Sequence, residues 1–181
     1  QLNVNLIDQL ANNTLVQWIE PVSQPHIKDD IKGRTNGRAN ALSTDYHAGR
    51  KYDGSGVTVA LCDDGEIGPH IDFEGRVTQY TINNSGSHGD MTSGIFVGAG
   101  NLNPNYKGFA SGAHLHLYQV ENISLTGYPQ IQNGVANLAT LGTVITSTSY
   151  SQGTGGVYAA TSVFVDDQIY NHQNMIHVFS A

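Results

Sequence analysis

Val57-Thr58-Val59-Ala60-Leu61-Cys62-Asp63-Asp64-Gly65 is the stretch of sequence that decides the fold. Its almost continuous apolar run stops at two carboxylates and a glycine, a pattern typical of a buried strand followed by a tight turn. Further apolar runs of strand type lie at 115–120, 144–148 and 175–180, and segments with helical spacing lie at 88–98, 131–141 and 158–170. This alternation predicts βαβ units and an α/β fold, in which helices flank a parallel sheet.

The composition is that of a globular protein. The chain has 181 residues, of which 39% are hydrophobic and 13% charged. Its net charge of −7, without a cluster of Lys or Arg, argues against nucleic acid or an anionic membrane surface as a partner. No apolar run approaches the roughly 20 residues of a membrane span. The single cysteine, Cys62, excludes a framework of internal disulfides.

The chain divides into three regions. Residues 1–26 combine an amphipathic segment with a short strand-like run that ends in Trp18 and Ile19. Residues 27–55 are poor in large apolar side chains and rich in Gly, Asn, Asp, Lys and Arg, which indicates a surface linker. Residues 56–181 carry the α/β pattern.

Candidate functional residues follow the strands, because ligand and catalytic groups of open α/β sheets lie beyond the carboxyl ends of the strands. Asp63 ends the first strand and could orient a histidine, bind a metal or, like Asp64, cap the turn. His88 opens a predicted helix. The positive end of the helix dipole is expected to disfavour its protonated form and keep it available as a base.

The order of these motifs resembles that of the subtilisin-like serine protease family. The resemblance extends over about residues 50–181. It rests on the segments 59–73, 87–95, 107–115, 148–151 and 165–181, which contain Asp63-Asp64-Gly65 and Ser87-His88-Gly89. Asp90 and Met91 depart from the family, which has Thr and His there. A negative charge at Asp90 is favourable in a first helical turn.

The resemblance implies a secreted or cell-surface endopeptidase that hydrolyses peptide bonds with an Asp-His-Ser triad. In that role Asp63 holds and polarises His88, which takes the proton of a nucleophilic serine. Ser149, Tyr150 and Ser151 would line the substrate cleft. Asp64 would be only the turn residue beside the catalytic aspartate.

Two further features come from the resemblance. Residues 1–26 look like the tail of an inhibitory prodomain, so that self-cleavage is expected within about 22–36. Calcium is the expected metal, with Asp72, Asn101 and Asn103 as candidate ligands, because carboxylate and amide oxygens suit that ion. The same Asn-rich loop could instead be a set of turns that tolerate left-handed backbone.

The serine and the oxyanion-hole asparagine of the family are not found in the expected context within this sequence. We therefore expect them from a following segment or from a second polypeptide that completes the catalytic domain. A non-catalytic, subtilase-like peptide-binding module is the first alternative. The second is a metal-dependent hydrolase, in which His114 and His116 on one strand face bind zinc with His70 and Asp72.

Overall fold

The structure is a computed structural model, which describes residues 6–16, 30–64, 67–80, 87–119, 138–149, 156, 158 and 160–180. The strands are β1 (Thr58–Asp63), β2 (Val77–Gln79), β3 (His114–Gln119), β4 (Thr143–Thr148) and β5 (Ile176–Phe179). The helices are α1 (Ile7–Ala11), α2 (Asp30–Asn36), α3 (Ala39–Ser43), α4 (His88–Val97) and α5 (Ala160–Asn171). Short 3-10 turns lie at Ile71–Phe73 and Pro104–Tyr106.

All strand pairs are parallel, and the order across the sheet is β2-β3-β1-β4-β5. The strand quoted first is therefore central. At its end Asp63 is in register with Gln119 of β3, and Cys62 is in register with Thr148 of β4. The ends of β1, β3 and β4 thus meet at one edge of the sheet, and the predicted parallel α/β fold is confirmed.

Alternation along the central strands builds a core on each face of the sheet. Val59 and Leu61 pack with Leu115 and Leu117 of β3 and with Val97 at the end of α4. Ala60 points to the opposite face, where it packs with Leu138 and Met175. Since the four leucine and valine side chains of β1 and β3 are almost fully buried, they bind α4 firmly to the sheet.

The last turn of α4 is held by the chain segment that follows it. The carbonyls of Ile95 and Phe96 accept hydrogen bonds from the backbone N–H groups of Phe109 and Ala110. A side chain at Gly108 would meet the backbone of α4, with a Cβ only 2.6 Å from the Gly98 nitrogen. The otherwise unpaired carbonyls at the helix end are satisfied in this way.

Region 27–55 contains helices α2 and α3, which its composition did not predict. Their main anchor is Arg34, which is 5% exposed. Its guanidinium donates to Asn40 Oδ1 and Ser43 Oγ and, in the same segment that closes α4, to the carbonyl of Gly108. The pKa of Arg34 is lowered by burial.

The other differences from the sequence analysis concern boundaries and one short strand. The pattern missed β2, which has only three residues, and placed the start of α5 two residues early. Of the helix predicted at 131–141, residues 131–137 lie outside the described residues, while 138–140 are helical. Trp18 and Ile19 also lie outside them. Within the described ranges, every helix is too short or too polar to cross a membrane.

Candidate active site at the carboxyl edge of the sheet

Asp63 is the last residue of β1, and its carboxylate is buried, with 3% of the residue exposed. Its Oδ1 accepts the backbone N–H of Asp64 at 2.8 Å. Burial of a polar group is costly unless hydrogen bonds compensate it, so a buried carboxylate needs several donors. The chain supplies them from its own turn and from helix α4.

His88 is the first residue of α4, and its Nδ1 lies 2.7 Å from Asp63 Oδ1. The side chain of His88 is 45% exposed, whereas that of Asp63 is 4% exposed. Since an ionised carboxylate can only accept, Nδ1 carries the proton, and in the neutral ring Nε2 is left as an acceptor. The pair thus presents a base to solvent and keeps its orienting carboxylate buried.

Thr92 supplies a donor to the second oxygen of the same carboxylate. Its Oγ1 lies 2.9 Å from Asp63 Oδ2. The same hydroxyl is 3.1 Å from the carbonyl of His88 and 3.2 Å from that of Gly89. One hydroxyl proton cannot serve all three acceptors, and the carboxylate is both the nearest and the charged one.

Asp64 fixes the backbone at the start of the same helix. Its Oδ1 accepts the N–H of Gly89 at 2.8 Å, while Ser87, at the N-cap position, makes no side-chain cap bond. A Cβ at Gly89 would lie 1.8 Å from the carbonyl oxygen of Asp64. Helix and strand end are therefore in direct backbone contact, which only glycine permits.

The pKa of His88 is raised above 6.5. The hydrogen bond to Asp63 is the largest cause, burial opposes it, and the charges of Asp63 and Asp64 add to it. The sequence analysis expected the helix dipole to disfavour the protonated ring. That expectation was wrong in sign, because adjacent carboxylates outweigh a partial charge at a helix terminus.

Asp90 lies in the first turn of α4 and is exposed, as is Met91. Partial desolvation of the carboxylate and, second, the charge of Asp64 raise the pKa of Asp90. The favourable dipole is thus offset by the neighbouring acid. Among the hydrogen bonds of the described residues, none joins Asp90 or Met91 to Asp63 or His88.

Of the predicted substrate-binding residues, Ser149 follows β4 directly. Thr148 before it is in register with Cys62, so Ser149 lies at the same edge of the sheet as Asp63. Tyr150 and Ser151 lie outside the described residues. Their role stays a prediction.

Two of the three predicted calcium ligands are brought together. Asp72 Oδ1 accepts the backbone N–H of Asn101 at 2.6 Å, and Asn101 Nδ2 donates to the carbonyl of Ile71 at 3.0 Å. Asn103 has a local function instead, because its Oδ1 accepts the N–H of Asn105 and caps the Pro104–Tyr106 turn. The side-chain oxygens of Asp72 and Asn101 are of the type that a hard cation such as calcium binds.

The histidines considered for a zinc site are engaged separately. His114 and His116 share a strand face, as predicted, with ring centroids 5.3 Å apart. Each pairs with a threonine of another strand. His114 Nε2 lies 2.9 Å from Thr78 Oγ1 of the neighbouring β2, and His116 Nδ1 lies 3.0 Å from Thr143 Oγ1 of β4, on the far side of β1. His70 Nδ1 accepts the N–H of Asp72. These four residues form no shared metal centre within the described part of the chain.

Among the described residues, only Asp63, Asp64 and His88 bring three groups of metal-ligand type within 4.8 Å of one another. Their ligand atoms are committed to hydrogen bonds, Asp63 with His88 and Asp64 with Gly89. The arrangement is that of a base oriented by a buried carboxylate. Such a geometry suits proton transfer.

Fold and site together define a parallel α/β protein with an Asp–His pair at the carboxyl edge of its sheet. Residues 54–181 match the model of the subtilase family. The chain therefore belongs to this family of subtilisin-like serine proteases.

One solved structure agrees with this chain in fold, and two others show weaker similarity. The Clostridium perfringens CspB protease has a TM-score of 0.62 at 17% identity, over 80% of this chain and 40% of that one. A cold adapted subtilisin-like serine proteinase has a TM-score of 0.48 at 21% identity, over 77% of this chain and 51% of that one. A lanthipeptide protease has a TM-score of 0.43 at 18% identity, over 82% of this chain and 45% of that one. This chain thus spans about half or less of their lengths.

Sequence reasoning missed two contributors to the site. Thr92 is four residues after His88, a spacing that places both on one side of a helix, so helical geometry could have identified it. Asp64 was taken as a turn residue only. Its bond to Gly89 had no signal in the sequence, because it depends on the approach of α4 to the end of β1.

Proposed function

We propose that the protein is a secreted or cell-surface subtilisin-like serine endopeptidase, in which this chain supplies Asp63 and His88. The observation that carries the proposal is the 2.7 Å hydrogen bond between His88 Nδ1 and the buried Asp63 carboxylate. Peptides are the substrates that a protease family implies. The nucleophilic serine and the oxyanion-hole asparagine would come from a following segment or from a second polypeptide.

In this mechanism Asp63 keeps the proton of His88 on Nδ1, so that Nε2 faces away from the carboxylate and accepts the proton of the serine hydroxyl. The serine attacks the peptide carbonyl, and His88 then returns the proton to the leaving amine. Asp63 stabilises the imidazolium that forms between these steps. The exposure of His88 leaves its Nε2 side accessible to a partner group.

The test uses the intact protein, a fluorophosphonate probe and a peptide substrate. His88→Ala should abolish labelling and lower kcat/KM about 10³-fold or more. His47→Ala, which removes an exposed histidine, is the matched control and should retain both. Denaturing mass spectrometry should place the label on a serine outside residues 1–181. A protein that binds peptides but never takes the label would instead be a non-catalytic module.

Residues 1–26 would be the tail of an inhibitory prodomain of a zymogen. The helix α2 begins at Asp30, and Arg34 within it is buried against Gly108. This favours self-cleavage upstream of α2, within about 22–29 of the expected 22–36. N-terminal sequencing of active enzyme should start in that range, and finding Gln1 on fully active material would contradict it.

Calcium would be held by Asp72 and Asn101, with Asn103 as a third candidate, and would stabilise the loop that follows α4. The ion has no part in the chemical step. Chelation should lower the thermal midpoint of the intact protein, and Asp72→Asn should remove that sensitivity. An unchanged midpoint on chelation would exclude a stabilising ion.

A further inference from the structure

The buried carboxylate of Asp63 accepts hydrogen bonds on both oxygens, from three described donors of different kinds. Oδ1 receives His88 Nδ1 and the backbone N–H of Asp64. Oδ2 receives a single described partner, the hydroxyl of Thr92 at 2.9 Å. Both donors of Oδ1 leave the second oxygen without support. Thr92 is the described side chain that fixes this second oxygen, and with it the rotation of the carboxylate.

The location of Thr92 suits that task. It lies one turn after His88 on α4, and α4 is fixed at both ends, by Asp64 at Gly89 and by Phe109 and Ala110 at its last carbonyls. The Thr92 hydroxyl therefore moves with the same rigid helix as the histidine. A terminal carboxylate torsion is otherwise soft, because rotation about the last side-chain bond of aspartate has a broad minimum.

We propose that Thr92 is a positioning residue of the proton-transfer site, which holds the Asp63 carboxylate in the plane that His88 Nδ1 requires. This rests on the proposed function of Asp63 and His88. Without the hydroxyl, Oδ2 loses its described donor in a nearly water-free environment, and the carboxylate can rotate away from the histidine. Small misplacements of catalytic groups cost rate steeply.

The alternative is a purely structural role, in which the hydroxyl bonds back to the carbonyls of His88 or Gly89 within the helix. That role affects the stability of α4 and leaves the geometry of the Asp63–His88 bond unchanged. The two roles therefore differ in kinetics and in the spectrum of the Nδ1 proton. Thr92→Val keeps the β-branched shape and removes the hydroxyl, and Thr92→Ser keeps the hydroxyl.

The experiment compares these variants in the intact protein with Thr35→Val as control. Thr35 is an exposed helical threonine whose hydroxyl accepts a hydrogen bond from Asn40, far from the Asp63–His88 pair. Thr92→Val should lower kcat roughly 10-fold with KM unchanged, and should broaden or shift upfield the low-field NMR signal of the His88 Nδ1 proton. Thr92→Ser should restore both, and Thr35→Val should change neither.

A kcat of Thr92→Val within twofold of the parent, or an equal loss in Thr92→Ser, would overturn the proposal. So would a loss of kcat with an unaltered Nδ1 proton signal. Asp63→Asn separates this outcome from failure of the proposed function. If Asp63→Asn retains full activity, the triad assignment itself is wrong, whereas an inactive Asp63→Asn beside a fully active Thr92→Val rejects only the role of Thr92.

Discussion

Asp64 Oδ1 accepts the backbone N–H of Gly89 at 2.8 Å, so a side chain at the end of a strand caps a helix that begins elsewhere in the chain. Asp63, the residue before Asp64, forms a hydrogen bond with the side chain of His88, the residue before Gly89. Two successive aspartates thus fix the first turn of α4, Asp64 through its backbone and Asp63 through the ring of its first residue. Helix and histidine are positioned together, which is the requirement for a preorganised base.

The close backbone approach at Gly89 predicts a large effect of a minimal substitution. Gly89→Ala places a Cβ 1.8 Å from the Asp64 carbonyl oxygen, and that backbone atom cannot move freely. We expect a loss of about 2 kcal/mol or more in the free energy of unfolding, although alanine has the higher helix propensity. Chemical denaturation and peptide hydrolysis measure the two consequences.

Gly94→Ala is the matched control, in the same helix, because its added Cβ would meet no described atom within 4 Å beyond its own helix backbone and chain neighbours. It should be neutral or stabilising by up to about 1 kcal/mol. A Gly89→Ala protein as stable as Gly94→Ala would contradict the observed approach of α4 to β1.

Substitutions of Asp64, which caps α4, should lower the free energy of unfolding in proportion to how much of the capping bond they remove. Asp64→Ala deletes both the acceptor and the charge and should cost about 1 kcal/mol of stability, the usual value of an N-cap. Asp64→Asn keeps an acceptor for Gly89 and should cost less. Both variants should lower the pKa of His88, because the charge of Asp64 contributes to its elevation. Equal stabilities of the two variants would argue against the capping bond.

The raised pKa of His88 determines how activity and stability respond to pH. A base must be neutral, so the acid limb of kcat/KM should have its midpoint above 6.5. The contribution of the protonated Asp63–His88 pair to the free energy of unfolding changes with pH in the opposite direction to the activity. It is fully present below about pH 6.5, the ordinary value, and is lost as the pH rises through the raised pKa.

The histidine C2–H signals in an NMR titration report this pKa directly. Asp63→Asn removes the largest cause of the elevation and should move the His88 midpoint down. A parent midpoint at or below 6.5 would show that the carboxylates do not control the ring.

The buried Arg34, which anchors α2, predicts a loss of stability on substitution at a position far from the candidate site. Arg34→Met keeps most of the apolar stem and removes the donors to Asn40, Ser43 and Gly108. Because hydrogen bonds of a buried charged group are strong and their partners would be left unpaired, we expect a loss of about 3 kcal/mol. Urea denaturation should detect it. Arg50→Met, at an exposed arginine, should stay within about 0.5 kcal/mol of the parent.

Much of the fold was predictable, because long apolar runs such as that of β1 are fixed by burial on both faces. The pairing of Asp63 with His88 was expected from the resemblance to the subtilisin-like family, and the structure brings the two side chains within hydrogen-bond distance. Strand β2 was not predicted, because three residues are too few to show a hydrophobic periodicity. Helices α2 and α3 were not predicted because their segment is poor in large apolar side chains, whereas the structure shows a buried, hydrogen-bonded arginine, Arg34, within it.

The electrostatics were less accessible to sequence reasoning. The sign of the pKa shift of His88 depends on distances to Asp63 and Asp64, and neither distance follows from composition or spacing. The same holds for Thr92, whose hydroxyl has three acceptors within reach. Geometry and charge, rather than residue type, select among them.

The central place of β1 has a consequence for the order in which the chain can fold. Its neighbours on either side are β3 and β4, which follow it only after long intervening stretches. During synthesis β1 must remain without a strand partner until His114–Gln119 has emerged, and its second side until Thr143–Thr148 has emerged. Parallel pairing over such separations is slow, since the entropy of closing each loop is lost before any contact compensates it. The apolar run that decides the fold is therefore a segment open to aggregation until the sheet closes around it.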